Sequence, residues 1–121
     1  MAPYERLEAW KVSHELALAV YQATKTFPKG ELYGLTAQAR RAALSVPCNL
    51  AEGSGKRGPR DFRRYVDIAR ASLNELGYLL RFARDFDILP VEPYERLTQL
   101  LNRTGFLTWR LYRSLSRASA R

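Results

Sequence analysis

An all-α fold, an antiparallel up-down-up-down four-helix bundle, is what the sequence predicts, and three observations carry that prediction. Four stretches place apolar residues three and four apart, the spacing of one helix face. The breaks between them are short and rich in glycine and proline: Phe27-Pro28-Lys29-Gly30, then Gly53-Ser54-Gly55 with Gly58-Pro59, then Asp87 to Pro93. No stretch alternates apolar and polar residues at the period of two that a half-buried strand requires. Short connections make sequence neighbours antiparallel neighbours in space, and residues 1–121 suffice for one such domain.

The first helix is expected from about Tyr4 to Thr26, with Ala9, Val12, Leu16, Ala19, Val20, Ala23 and Phe27 as its core stripe. A second stripe, Leu7, Trp10, Ala17, Leu18 and Tyr21 with His14 among them, has no use in a lone bundle. Its aromatic content predicts a subunit interface, against the plainer reading of scattered surface hydrophobics. His14 is the sole histidine, and Lys11 stands three residues before it where a bundle-type metal site needs glutamate. No metal or other cofactor is therefore expected, and His14 reads as an interface or surface residue.

The second helix begins within Glu31 to Leu35 and runs to about Glu52. Ala39, Ala42, Ala43, Val46 and Leu50 form its apolar face beside a polar seam of Gln38, Arg41, Ser45, Asn49 and Glu52. Pro47 falls inside it and frees the carbonyl of Ala43, so a kink is expected rather than a stop. Asn49 and Glu52 could line a site; the structural reading, in which they satisfy freed backbone groups and hold the corner through arginines, is preferred. Gly53-Ser54-Gly55 is expected to end the helix. Cys48, the only cysteine, excludes an internal disulfide, fits a reducing cytoplasm and is expected buried or half-buried.

The third helix should run from Pro59 to Phe86, with proline in its first turn and Asp61 near its positive dipole end. Phe62, Tyr65, Ala69, Leu73, Leu76, Leu80 and Ala83 are its expected core. Arg60, Arg63, Arg64, Asp67, Arg70, Asn74 and Arg81 lie opposite, where Asp67 can pair with Arg63 and Arg70, and Asp85 with Arg81. In the fourth helix Leu97, Thr104 and Leu111 alternate with Leu100 and Leu107, flanked by Leu101, Thr108 and Leu115. Arg96, Arg103, Arg110 and Arg117 recur every seven residues beside this seam, and no acidic residue follows Glu95. The helix cannot neutralise its own arginines; neighbouring helices, other subunits or an external polyanion must. Trp109 and Tyr112 interleave with Arg110 and Arg113, which suits RNA stacking and an interface belt equally. Residues Ser116 to Arg121 are expected to fray.

The run GLTAQARRAALSVPCNLAEGSGKRGPRDFRRYVDIARASLNEL, with LEAWKVSHELALAVYQATKTFPKGELYGL before it, resembles the bacterial four-helix-bundle family named for the intervening sequences of 23S ribosomal RNA genes. Ala71 stands where that pattern has glycine, and Cys48 where serine is common; both replacements are small. The resemblance implies a cyclic homopentamer. It also implies a more distant likeness to accessory proteins of diversity-generating retroelements, basic pentameric bundles that bind a reverse transcriptase and nucleic acid.

A formal net charge of +8 predicts a polyanionic partner, with simple solubility as the bland alternative. No apolar run spans a bilayer and the N-terminus has no hydrophobic signal core, so no membrane partner and a cytoplasmic location are expected. No nucleophile and base, Walker loop or metal cluster stands out, so no catalytic residue and no enzyme is expected. The expected function is nucleic-acid binding, structured RNA ahead of DNA, through Lys56, Arg57, Arg60, Arg63, Arg64, Arg103, Arg110 and Arg117. The alternative is an assembly scaffold that docks a protein partner, such as a reverse transcriptase, without sequence readout.

Overall fold

Helical periodicity becomes four α-helices in the computed structural model, which describes residues 1–120: α1 (Glu8–Thr24), α2 (Leu35–Ser54), α3 (Pro59–Asp85) and α4 (Val91–Ser119). Single 3-10 turns at Pro3–Arg6 and Lys29–Glu31 precede α1 and α2. No strand occurs among the described residues, and no helix is long and apolar enough to cross a membrane.

Each helix packs on two others. α1 touches α2 and α4, α3 touches the same two, and the diagonal pairs do not meet. One core fills the centre, built from Leu16 and Val20 of α1, Ala39, Ala43, Val46 and Leu50 of α2, Val66, Ala69 and Leu76 of α3, and Leu97 of α4. Contacts between α3 and α4 fall in reverse order along the two chains. Arg63 meets Ser119, Arg70 meets Gly105 and Thr108, and Gly77 lies against Leu101. Between α2 and α3 the order reverses likewise, with Gly53 against Phe62 and Tyr65, and Ser45 bonded to Ser72.

Hydroxyls inside this core bond their own helices, which spares them the cost of burial without a partner. Thr24 Oγ1 donates to the carbonyl of Val20 at 2.8 Å, and Thr108 Oγ1 to that of Thr104 at 2.8 Å. Among the described residues no buried side-chain polar atom lacks a hydrogen-bond partner.

Several boundaries differ from the sequence expectation. The first helix starts at Glu8 because Leu7 is extended (φ −81°, ψ 122°), separating it from the Pro3–Arg6 turn. The second ends inside the expected Gly53-Ser54-Gly55 corner, at Ser54 with Gly55 as its C-cap, two residues past Glu52. Gly53 is a packing residue there: a Cβ would lie 2.8 Å from Tyr65 Cβ and 2.9 Å from Phe62 Cδ1. The conformational glycine is Gly58, whose φ of 83° sets up α3 with Pro59 in its first turn. Cys48 is exposed rather than buried, since the core stripe of α2 passes through Val46 and Leu50 instead. Val66 is fully buried where Phe62 and Tyr65 are only half-buried, so the core stripe of α3 begins one turn later than expected. α4 stays helical through Ser119, where fraying was expected, held by Ser119 Oγ on the carbonyl of Ser116 and by Arg63. Arg121 lies outside the described residues.

α3 ends in a Schellman turn, with the amide of Ile88 on the carbonyl of Ala83 (2.8 Å) and that of Asp87 on Arg84 (3.1 Å). Asp87 occupies its left-handed position at φ 61°, which glycine adopts more cheaply. The expected Arg81–Asp85 pair forms at 3.0 Å. Hydrogen bonds from Arg84 and then Arg81 hold the Asp85 carboxyl below its ordinary value.

Two stability changes of opposite sign are expected. Gly53→Ala should lower unfolding free energy by about 1–3 kcal/mol, because the added methyl overpacks the α2–α3 contact. Asp87→Gly should raise it by about 1 kcal/mol by relieving the left-handed aspartate. Urea titration of each variant reads both.

Candidate nucleic-acid interface

The basic corner is built by the end of α2 and the start of α3. Once Gly53 lets Phe62 and Tyr65 close on α2, the chain turns within four residues, Gly55 to Gly58, and presents its charges outward. Lys56 Nζ and the Arg64 guanidinium both lie over the Tyr65 ring, at 5.3 and 4.8 Å from its centroid. Cation–π contact of this kind orders an exposed cation without consuming its charge. Arg57 and Arg60 are exposed and, with Ala118 and Ser119 of α4, line an open cleft of about 440 Å³. Arg63 differs, being half-buried with its Nη1 donating to Ser119 Oγ at 3.4 Å. The corner and the last turn of α4 thus occupy the same end of the bundle.

Arg96, Arg103, Arg110 and Arg117 are all exposed along α4. Among the described residues, Arg96 is the one of these four that forms an ion pair, with Glu15 of α1 at 3.9 Å. Among the described residues, none of Lys56, Arg57, Arg60, Arg63, Arg64, Arg103, Arg110 and Arg117 forms an ion pair. Among the described residues, then, neighbouring helices pair with Arg96 but leave Arg103, Arg110 and Arg117 without a carboxylate.

The aromatic residues of α4 divide differently from expectation. Tyr112 turns inward and packs on the core, whereas Phe106, not singled out in the sequence, is 54% exposed beside Trp109 at 43%. Arg110 lies 5.7 Å over Phe106, and Arg113 5.0 Å over Trp109. These four line a second cleft with Ser114 and Arg117. The signal was present at helical spacing, since Asn102, Phe106, Trp109 and Arg113 share one stripe; the heptad of leucines and arginines masked it.

Arg70, placed by the sequence on the outer face of α3, instead spans the α3–α4 contact. Its Nη1 donates to the Gly105 carbonyl at 2.9 Å and to Thr108 Oγ1 at 3.0 Å. Arg63 also turns to α4, so neither expected pair with Asp67 forms.

The remaining residues singled out in the sequence fall in two places. Of the second α1 stripe, Ala17 enters the core, Leu7, Trp10 and Tyr21 are half-buried, and Leu18 and His14 stay exposed. Trp10 stacks on His14 at 4.9 Å, and Arg40 covers Tyr21 at 4.7 Å. In the α2 seam, Ser45 and Ser72 share a 2.7 Å hydrogen bond, and Asn49 Nδ2 donates to the carbonyl of Ser45 at 2.8 Å. Asn49 thus does not reach the Ala43 carbonyl freed by Pro47. The helix passes through the buried Pro47 without interruption. Arg41 and Glu52 are exposed, and Glu52 makes no arginine contact among the described ion pairs. No group of three or more His, Cys, Asp or Glu among the described residues is placed to hold a metal ion.

Residues 5–108 match the family model of the 23S rRNA-intervening sequence protein. The chain belongs to that family. A crystal structure of a protein of unknown function from the S23 ribosomal protein family, from Bacteroides thetaiotaomicron, has the same fold, with a TM-score of 0.77. That likeness covers 86% of this chain and 97% of the other at 20% identity, so it speaks for the fold alone. No curated protein matches the sequence. The match to the intervening-sequence protein family includes the whole basic corner and stops before Arg110, so the last two turns of basic residues on α4 lie beyond it.

Arginines that hold helices together should separate from those that face outward. Arg70→Ala should lower unfolding free energy by about 1–3 kcal/mol through loss of its two α4 hydrogen bonds. Arg103→Ala, exposed and unpaired, should change it by less than about 0.5 kcal/mol. Paired urea titrations check the contrast.

Proposed function

We propose that this member of the intervening-sequence protein family is a non-enzymatic nucleic-acid-binding bundle, in which exposed arginines contact RNA phosphates with little sequence discrimination. The observation that carries this reading is the convergence of the basic corner and the end of α4 on one cleft. Arg57 and Arg60 line it together with Asp61, Arg63 bonds the lining Ser119, and among the described residues no carboxylate forms an ion pair with these arginines. Asp61 is the one acidic residue between Lys56 and Arg64. An uncompensated cationic surface of this sort raises the local concentration of polyanions and binds them mainly by releasing counterions. The family's name makes ribosomal RNA the first RNA to try.

The helices run up-down-up-down in this reading, supported by the reversed order of contacts along α2, α3 and α4. The protein works as a ring, a homopentamer by resemblance to its family, in which weak contacts repeated around an axis gain from high effective concentration. A scaffold reading has its own support: Leu44 of α2, Ile68, Tyr78 and Phe82 of α3, and Phe86 just past its end are exposed large apolar side chains of the kind that protein contacts cover.

Binding to structured RNA across a salt series tests the main reading. Replacing Arg57, Arg60 and Arg117 by alanine should flatten the slope of log affinity against log salt by about 2–3, since each phosphate contact contributes roughly 0.7–0.9. An unchanged slope would remove the corner from the interface. No binding at low salt by the unaltered protein would leave the scaffold reading in the lead.

A further inference from the structure

Phosphate contacts account for arginines but not for exposed rings between them. On α4, Phe106 and Trp109 are about half exposed, and each carries a guanidinium over it, at 5.7 and 5.0 Å. With Arg110, Arg113, Ser114 and Arg117 they form a cleft of about 470 Å³ on the outward side of the helix. A ring of this size in water is costly unless something stacks on it, and here the chain's own arginines do so. A guanidinium plane on an indole is the same kind of contact that a nucleobase makes.

We propose that this outer face of α4 holds unpaired nucleotides, with one base stacked on Trp109 in place of Arg113. The displaced Arg113 and its neighbours Arg110 and Arg117 then take the flanking phosphates, spread over about 10 Å of helix at 1.5 Å per residue. The inference rests on the nucleic-acid reading and narrows it from structured RNA to single strands or loops. Bases of a duplex keep their faces stacked on one another and cannot reach a side-chain ring, whereas splayed bases can.

Charge decides the occupant. From Arg96 to the end of the sequence there is no acidic residue, and no ion pair among the described residues reaches Arg103, Arg110, Arg113 or Arg117. A protein partner or second copy covering this stripe would have to supply carboxylates for several arginines at once or bury them unpaired. A nucleotide strand brings a phosphate with every base.

The experiment uses the full chain. Trp10 and Trp109 are the only tryptophans, so Trp10→Phe leaves Trp109 as the sole reporter of indole emission. A dye-labelled ten-nucleotide oligouridylate and a dye-labelled RNA duplex of equal length are titrated with this protein and with its Trp109→Ala and Trp109→Phe variants, affinity being read from the dye's anisotropy and quenching from Trp109 with unlabelled RNA, with solution mass recorded. The proposal expects single-strand binding to quench Trp109 emission and Trp109→Ala to weaken it by about 5- to 100-fold. Duplex binding should change less than about twofold, and Trp109→Phe should restore most of the single-strand affinity. RNA binding with neither quenching nor sensitivity to Trp109 would overturn the base-stacking site while leaving the phosphate reading intact. No binding of either RNA would overturn both. A fall in assembly mass with Trp109→Ala would assign the face to subunit contact and overturn the proposal.

Discussion

The contact of α3 with α2 at Gly53 is the constraint on which the basic end depends. Only a residue without Cβ lets Phe62 and Tyr65 approach so closely, and that approach closes the corner within four residues. Tyr65, so placed, becomes a shelf for Lys56 and Arg64. The same docking sets the rotation of α3, turning Arg63 and Arg70 onto α4 and leaving Arg60 and Arg64 in solvent. A single small residue thereby governs which cations are structural and which are displayed.

The arginines divide by partner rather than by position in sequence. Arg40, Arg63 and Arg70 reach neutral acceptors: Thr24 Oγ1 with the Tyr21 carbonyl, Ser119 Oγ, and the Gly105 carbonyl with Thr108 Oγ1. Such contacts use the fixed fork of guanidinium donors to bridge helices while satisfying hydroxyls and carbonyls at the seam. Arg64, Arg110 and Arg113 lie on aromatic faces and keep open edges for hydrogen bonding. Among the described residues the four ion pairs involve Glu8, Glu15 and Asp85, away from the corner, and Glu8, paired with Lys11, shares a cleft with Arg110 and Ser114 of α4 without pairing with Arg110. Exposed pairs of this kind contribute little to stability.

Small and β-branched polar residues let the helices approach one another between the core leucines. Ala39, Ala42 and Ala43 thin α2, while Thr104 and Thr108 fill the α4 seam and return their hydroxyls to the preceding turn. Helices packed this closely leave little freedom to rotate, so a stripe on one helix holds a fixed relation to stripes on the next. That rigidity permits a cleft to form from residues sixty positions apart in the chain, such as Arg57 and Ser119.

The sequence alone determined the four helices, their order, the core residues of α2 and α4 and the uncompensated charge of α4, because periodicity and composition are local properties. Leu97 and Leu50 were legible for that reason, as was the row from Arg96 to Arg117. Tertiary structure alone decided that Gly53 is a packing site, that Arg63 and Arg70 bridge helices, and that Phe106 rather than Tyr112 faces out. It also decided that the corner meets the end of α4. A helical wheel gives angles around one axis, but burial and partners depend on how far each neighbouring helix is rotated and how closely it approaches.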